Sequence, residues 1–499
     1  MITSDRMAAV DANAAALGVP RKQLMESSGN AVARAVRERT DPGDAVTIVA
    51  GRGNNGGDAF VAARFLEDRT VATCLLGRAE TITTDIAHEN WAALQQAEAE
   101  TIEVRDSTAI AEADGASPAA TAIAEADLLV DAMLGTGVTG ALREPAATAA
   151  ERINEAREAG ATVVAVDVPS GIDADTGEAA GDAPHVAVAA DHVVTFHAEK
   201  PGLGDLDATI EIADIGIPDA AELFVGPGDL LSLSRPAESH KGDFGHVLVI
   251  GGGPYTGAPA LTAQAALRAG ADLATVACPE SVADEVQSYS ESIITKPLPG
   301  DRVRPGHVDR LLDLAGERTA TVIGPGLGRA EDSLDAAREF LTAASGSVVV
   351  DADPLRVVPD VAAETDATLL CTPHRGELAA MGGPEAEEWQ DRADAVESFA
   401  ADLDATLLVK GPYDVISDGE TTRVNRTGNP GMTAGGTGDV LAGIASALVS
   451  TQEPIEAGAL AAFVNGTAGY TVVDERGYGL LASDLLPEIP LAMWGADDG

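Results

Sequence analysis

The sequence predicts an α/β protein of two domains, and three observations predict it. Short apolar runs rich in Val and Ile recur along the chain, most of them ending in a polar or glycine-rich segment. Stretches of helical periodicity separate them. The alternation fades near 216–236 and then starts again. Strands alternating with helices form parallel sheets covered on both faces, with ligands beyond the C-terminal ends of the strands.

In the first half the runs are AVTIVAG (45–51), TVATCLLG (70–77), ADLLVDAMLG (126–135), TVVAVDVPSG (162–171) and DHVVTFHA (191–198). Between the first two lies NNGGDAFVAARFLED, which has a helical pattern. IADIGIP (212–218) reads as a last strand and turn, and the Pro, Gly and Ser content through Pro236 suits a junction. Domains are therefore expected at 1–220 and 221–499. The second half continues with HVLVIGGG (246–253), ADLATVACP (271–279), TATVIGPGLG (319–328), GSVVVDADPL (346–355), ATLLCTPHRGEL (367–378) and ATLLVKGPYDVI (405–416). No sequence repeat relates the halves, so two different folds are expected.

With 499 residues, 45% of them hydrophobic, the chain can bury more than one core. No apolar run of roughly 18 residues occurs, and the start MITSDRMAAVDANAAALGVP lacks a basic segment followed by an apolar one. A cytoplasmic protein with no membrane partner is expected. Acidic residues number 80 against 32 Lys and Arg, a net charge of -48, and only five residues are lysine. Such a field repels nucleic acid and anionic lipid, and 3% aromatic residues are too few for a base-stacking surface. The acidic, lysine-poor composition resembles that of proteins from salt-loving organisms. Cys74, Cys278 and Cys371 lie far apart and read as incidental buried thiols in a reducing compartment.

GRGNNGGD (51–58) follows a strand and opens a helix, with the spacing Gly51-x-Gly53-x-x-Gly56. Arg78 ends the next strand, where it can meet a 2'-phosphate, so a dehydrogenase is one alternative. Asn54, Asn55 and Asp58 go beyond what a dinucleotide turn requires. They offer oxygens to a hard cation or hydrogen bonds to a polar ligand, although Asn and Gly also suit any tight turn. Asp131 precedes Gly135, Thr136 and Gly137, which can wrap an anion. Asp167 in VDVPSGID is a partly buried strand-end carboxylate, and burial moves such a group toward the range of a general base.

In GNPGMTAGGTGDVLAGI (428–444), Asp439 follows Gly435, Gly436, Thr437 and Gly438 and precedes an apolar helical pattern. An aspartate there can simply cap a helix, but the glycines also suit a cradle for phosphate. Thr256, Gly257 and Ala258 let a flat ring approach the backbone, or only allow tight helix-sheet packing. GPGLG (324–328) is another flexible strand-end loop. His374 in TPHRGEL is by default structural, and Lys410 in VKGPYDVI stands where it can meet a phosphate.

GRGNNGGD, DAMLGTG and VDVPSGID together resemble the N-terminal domain of the bifunctional NAD(P)H-hydrate repair enzymes, an NAD(P)HX epimerase of Rossmann-like αβα fold. The resemblance implies that Asn54, Asn55, Gly56, Gly57 and Asp58 bind the hydrate together with Gly135, Thr136, Gly137, Val138, Thr139, Gly140 and Ala141. It gives Asp167 to substrate and base chemistry, and Asn55, Asp131 and Ser170 to a potassium ion, K+. Arg52 and Ala59 stand where Asn and Gly are expected.

HKGDFG, IGPGLG, DADPL, TPHRGEL, VKGPYD and GGTGD resemble the ADP/ATP-dependent NAD(P)H-hydrate dehydratase domain, which is ribokinase-like and again αβα. By that resemblance Ala258, Gly326, His374 and Asp439 contact the hydrate. Lys410, Gly411, Pro412, Tyr413, Asp414 and Gly438 hold the nucleotide, ADP or ATP, with Mg2+. The resembled loop usually continues Lys-Gly-x-x-Thr, from which Pro412 and Asp414 depart. Asp439 would take the proton of the attacking ring hydroxyl. The substrates implied are NADHX and NADPHX, and a homo-oligomer is expected. A small-molecule kinase fused to a Rossmann-like binding domain is the alternative, together with a non-catalytic binding module.

Overall fold

Runs of Val, Ile and Ala that are too apolar for a half-exposed strand form the centre of a parallel sheet in each half of the chain. The computed structural model describes residues 1–111, 117–137, 140–180 and 186–495 and divides the chain into two units, Met1–Asp219 and Ala220–Gly499.

In the first unit the strands are β1 Ala45–Ala50, β2 Thr70–Leu76, β3 Glu100–Val104, β4 Leu128–Ala132, β5 Thr162–Val166, β6 His192–Phe196 and β7 Thr209–Ala213. They form one sheet in the order β3-β2-β1-β4-β5-β6-β7, parallel throughout. The order reverses between β1 and β4, which opens a crevice at their C-terminal ends. Both strands are almost wholly buried: Ile48, Val49, Leu129 and Val130 have no exposed surface. Each such side chain contributes about 1.5–3 kcal/mol on burial.

The second unit holds β8 His246–Ile250, β9 Leu273–Pro279, β10 Ile293–Leu298, β11 Ala320–Ile323, β12 Ser345–Val350, β13 Asp366–Cys371, β14 Thr406–Val409, β15 Asp414–Ser417 and β16 Thr422–Asn425. Their order is β10-β9-β8-β11-β12-β13-β14-β15-β16. The sheet is parallel as far as β14 and antiparallel at β15 and β16. All seven strands of the first sheet thus recur in the same order and direction in the second, a kinship invisible in their sequences. They differ in size and in the antiparallel edge. The crevice here lies beyond β8 and β11.

Helix Thr437–Leu448, TGDVLAGIASAL, is buried from Val440 to Leu448. It lies hard against helix Gly257–Arg268, because a Cβ on Gly443 would come within 2.3 Å of the Thr262 carbonyl oxygen. This contact fixes where Asp439 stands. Cys74, Cys278 and Cys371 are buried free thiols, with burial pushing them up to about 12, 11 and 12.

Candidate active site

In the first unit the glycines of GRGNNGGD are explained in large part by close approach. A Cβ on Gly51 would lie 1.8 Å from the Met133 carbonyl oxygen, so only glycine lets the ends of β1 and β4 come together. Gly56 meets the Gly51 carbonyl in the same way, and Gly57 faces Met25 and Ala87 of neighbouring helices. The turn opens helix Asn54–Arg64, leaving Asn54 exposed and Asp58 buried.

Asn55, Asp131 and Ser170 come together around one stretch of backbone. Asn55 Nδ2 donates to the Leu134 carbonyl at 3.0 Å, and Leu134 N donates to Ser170 Oγ at 3.0 Å. Ser170 Oγ and N donate to the two oxygens of Asp131, each at 2.7 Å. Asp131 is wholly buried. Burial pushes its carboxyl up to about 6 against the hydrogen bonds from Ser170 and Met133. The donors are all oxygens of Asn, Asp, Ser and backbone, which suits a hard monovalent cation. Gly135 and Gly140 line a small cavity with Pro169 and Ser170. Thr136 is half-buried, Gly137 and Ala141 are exposed, and Val138 and Thr139 lie outside the described residues.

Asp167 follows β5 with φ 64, a left-handed backbone that a non-glycine residue adopts only under constraint. Its Oδ1 accepts from Thr195 Oγ1 at 3.1 Å and from Phe196 N at 3.3 Å, and it lies 2.7 Å from Lys200 Nζ. Lys200 has no exposed surface. Two more carboxyls stand in this field. Burial, then the charges of Asp167 and Asp11, raise Asp58 well above the usual range. Burial also pushes Asp11 up to about 6, with Arg21 opposing and Asp167 adding. Sequence reasoning named Asp58 and Asp167 and missed Asp11, Thr195 and Lys200.

In the second unit the turn before Asp439 is open. Gly435 is exposed, and Gly436, Thr437, Gly438 and Asp439 are half-buried. Gly436, with φ 98, is the N-cap of helix Thr437–Leu448 and brings no side chain to cap its amides. Asp439 is the third residue of the helix and is therefore not its cap. Thr262 Oγ1 lies 3.0 Å from the Asp439 carbonyl and 3.1 Å from that of Ala258, joining two of the predicted hydrate contacts. Gly326 sits against Tyr255 and Pro259, at the start of the same helix as Ala258. Burial, then Asp351, push the Asp439 carboxyl up to about 7, with Lys410 acting the other way.

Lys410 Nζ lies 3.0 Å from Asp351 Oδ1 and 3.8 Å from Glu377 Oε2, and a Cβ on Gly438 would stand 3.5 Å from it. Burial opposes its charge, but Asp351, Glu377 and Asp439 together raise its pKa. Asp351 also accepts from Thr372 Oγ1 at 2.7 Å. His374 is the N-cap of helix Arg375–Ala380: its Nδ1 accepts from the amides of Gly376 and Glu377 at 3.0 and 3.1 Å. The neutral ring therefore carries its proton on Nε2. Asp414 accepts from Gly411 N at 2.8 Å and Asn425 Nδ2 at 2.9 Å, closing the loop that starts at Lys410. Burial pushes its carboxyl up to about 6. Pro412 and Tyr413 are exposed at the loop tip, and Tyr413 stacks on Trp389 with centroids 5.3 Å apart. Asp351, Glu377, Thr262 and Trp389 escaped sequence reasoning, although DADPL and TPHRGEL contain the first two.

Comparison with known proteins bears on both units. Residues 247–491 match the family described as NAD(P)H-hydrate dehydratase, and residues 21–202 match the YjeF-related protein N-terminus. The bifunctional NAD(P)H-hydrate repair enzyme Nnr of Pyrobaculum aerophilum is 43% identical over 507 residues, covering 98% of this chain and 97% of that one. That of Methanopyrus kandleri is 41% identical over 510 residues, covering 99% and 98%. Among solved structures, the ADP/ATP-dependent NAD(P)H-hydrate dehydratase from Bacillus subtilis, co-crystallized with ATP/Mg2+, is 28% identical. It covers 54% of this chain and 97% of that one, with a TM-score of 0.47.

Proposed function

We propose the following division of labour on the premise that the chain belongs to the bifunctional NAD(P)H-hydrate repair enzymes. It is an NAD(P)H-hydrate epimerase and an NAD(P)H-hydrate dehydratase in one chain. We assign epimerisation to residues 1–220 and dehydration to 221–499.

In the first unit Asp167 is the base that moves a proton as the R and S forms interconvert at the hydrated carbon. No redox step is needed. Asn54 to Asp58 and the loop 135–141 hold the hydrate. Asn55, Asp131 and Ser170 would hold K+, which supplies fixed positive charge beside the dinucleotide. The hydrogen-bonded grouping of those three residues supports this part of the reading.

In the second unit the ring hydroxyl gives its proton to the Asp439 carboxylate while its oxygen attacks the terminal phosphoryl group of ADP, or of ATP. The bond to the nucleotide breaks. The ring then loses phosphate and the proton of the neighbouring carbon, which restores the double bond. The amides at the start of helix Thr437–Leu448 and the Lys410 ammonium meet the phosphoryl charge. Asp351, Glu377 and Asp439 surround that single ammonium, and a divalent cation such as Mg2+ would neutralise their surplus charge. Ala258, Gly326 and His374 bound the hydrate, and the 410–414 loop with Gly438 bounds the nucleotide.

The observation that carries the reading is Asp439 in the first turn of a helix whose leading amides are left open beside Lys410. Mixed hydrates incubated with ADP or ATP, Mg2+ and K+ test it by recovery of reduced-nicotinamide absorbance. A stable phosphorylated product without that recovery would indicate the small-molecule kinase instead. The enzyme works in the cytoplasm as a homo-oligomer, the latter checked by light scattering at high salt.

A further inference from the structure

The residue with the most unusual surroundings in the first unit is one that no motif singled out. Lys200 lies in the loop after β6 and has no exposed surface. A buried ammonium is costly unless each of its protons finds an oxygen. Here the three oxygens are those of Asp167 Oδ1 at 2.7 Å, the Phe196 carbonyl at 2.9 Å and the Ala198 carbonyl at 3.3 Å. The same Oδ1 takes the Thr195 hydroxyl and the Phe196 amide. Among the described residues, none donates to Asp167 Oδ2. The carboxylate is therefore held by one oxygen and presents the other, and its side chain keeps 13% exposure through which a ligand can reach it.

The surroundings of Asp167 are otherwise negative. Asp11 faces it from helix Ser4–Ala16 and Asp58 from helix Asn54–Arg64, while His197 and Lys200 come from the loop after β6 and Arg21 approaches Asp11. Three carboxyls in one partly buried site cannot all ionise without a compensating cation. Among the described residues Lys200 is a cation in contact with one of these carboxylates, Asp167 at 2.7 Å. We propose that Lys200 is a positioning residue for epimerisation: its buried ammonium fixes Asp167 through Oδ1 and sets a positive charge beside it, so that Oδ2 takes the substrate proton. This rests on the reading of Asp167 as the base. Asp58 and Asp11 lack that contact, and burial raises both carboxyls above their ordinary range.

The test is the pH profile of epimerisation, followed by chromatographic separation of the R and S hydrates with no nucleotide present. Lys200→Met should lower the rate near neutral pH by at least about a hundredfold, the lower end of general-base contributions. Its acid limb should move to higher pH, because a buried carboxyl without its ammonium gives up its proton less readily. KM should change little, and nucleotide-dependent dehydration of the S hydrate by the same protein should stay normal. An unmoved acid limb overturns the proposal. If Lys200→Met does not fold, Lys200→Arg decides: charge is retained, so the acid limb should hold its wild-type position, and a shift of more than about one pH unit overturns the idea. Asp167→Asn separates the two levels. If it epimerises at the wild-type rate, the reading of Asp167 as base fails. If it is inactive while Lys200→Met shows a wild-type profile, only the role of Lys200 fails.

Discussion

Lys410 Nζ stands 3.0 Å from Asp351 Oδ1, so the ammonium beside Gly438 is held by a buried carboxylate. Lys410→Met leaves Asp351, Glu377 and Asp439 without their shared cation. We expect KM for the nucleotide to rise at least about tenfold, equivalent to about 1.4 kcal/mol. The acid limb of the dehydration rate should also move to higher pH, because Lys410 works to keep Asp439 ionised. Steady-state rates across pH 5 to 9 check both outcomes.

Asp439, pushed up to about 7 by burial and Asp351, must be ionised to accept a proton. The dehydration rate should therefore rise with pH through the neutral range and fall as pH drops below about 7. Asp439→Asn should cost on the order of 10²–10⁴ in dehydration and flatten that limb. Epimerisation by the same variant should be unchanged, as chromatography of the two hydrates will show.

Asn55, Asp131 and Ser170 are linked through the Leu134 backbone. Exchanging K+ for a bulky organic cation at constant ionic strength should slow epimerisation several-fold. Ser170→Ala should lose most of that response. A rate independent of the cation in the wild-type protein would remove K+ from the site.

Arg423 and Asp229 form a buried pair at 2.8 Å, with side chains 4% and 1% exposed. Asp229→Ala should destabilise the second unit by a few kcal/mol, on the order of the loss of one partner of a buried ion pair, since it leaves the buried guanidinium only the more distant Glu456 at 3.8 Å. Replacing both residues by Leu should cost less than the sum of the two single changes. Denaturant unfolding of the three variants measures the difference.

With 80 acidic against 32 basic residues, mutual repulsion should dominate at low salt. The Debye length falls from about 10 Å at 0.1 M to about 3 Å at 1 M. The midpoint of thermal unfolding should therefore drop as KCl is lowered from molar to 0.1 M, and an unchanged midpoint would contradict the salt-adapted reading.

The legible parts of the fold were strands buried on both faces. β1, β4, β8 and β11 are apolar runs that no other element explains. β14 and β15 read as one run in the sequence, 405–416, and β3, β10 and β16 were missed, for which the reason is physical. β3, β10 and β16 are edge strands carrying Glu100 and Glu103, Lys296 and Pro297, and Arg423 and Asn425, so their patterns resemble loops. At the sites, motifs located the glycine turns and Asp167, Asp439 and Lys410. They did not locate Lys200, which reaches Asp167 only because β5 and β6 are neighbours in the sheet. The same holds for Thr262, whose hydroxyl meets Asp439 through packing of two helices far apart in sequence.

Gly436 begins the Asp439 helix without offering it a side-chain acceptor. An incoming phosphate would supply what the polypeptide withholds, completing a helix end whose body already forms much of the surrounding core. Occupancy and rigidity are then coupled: nucleotide should slow amide hydrogen exchange along 437–448, so the enzyme would be most tightly ordered when it holds its donor.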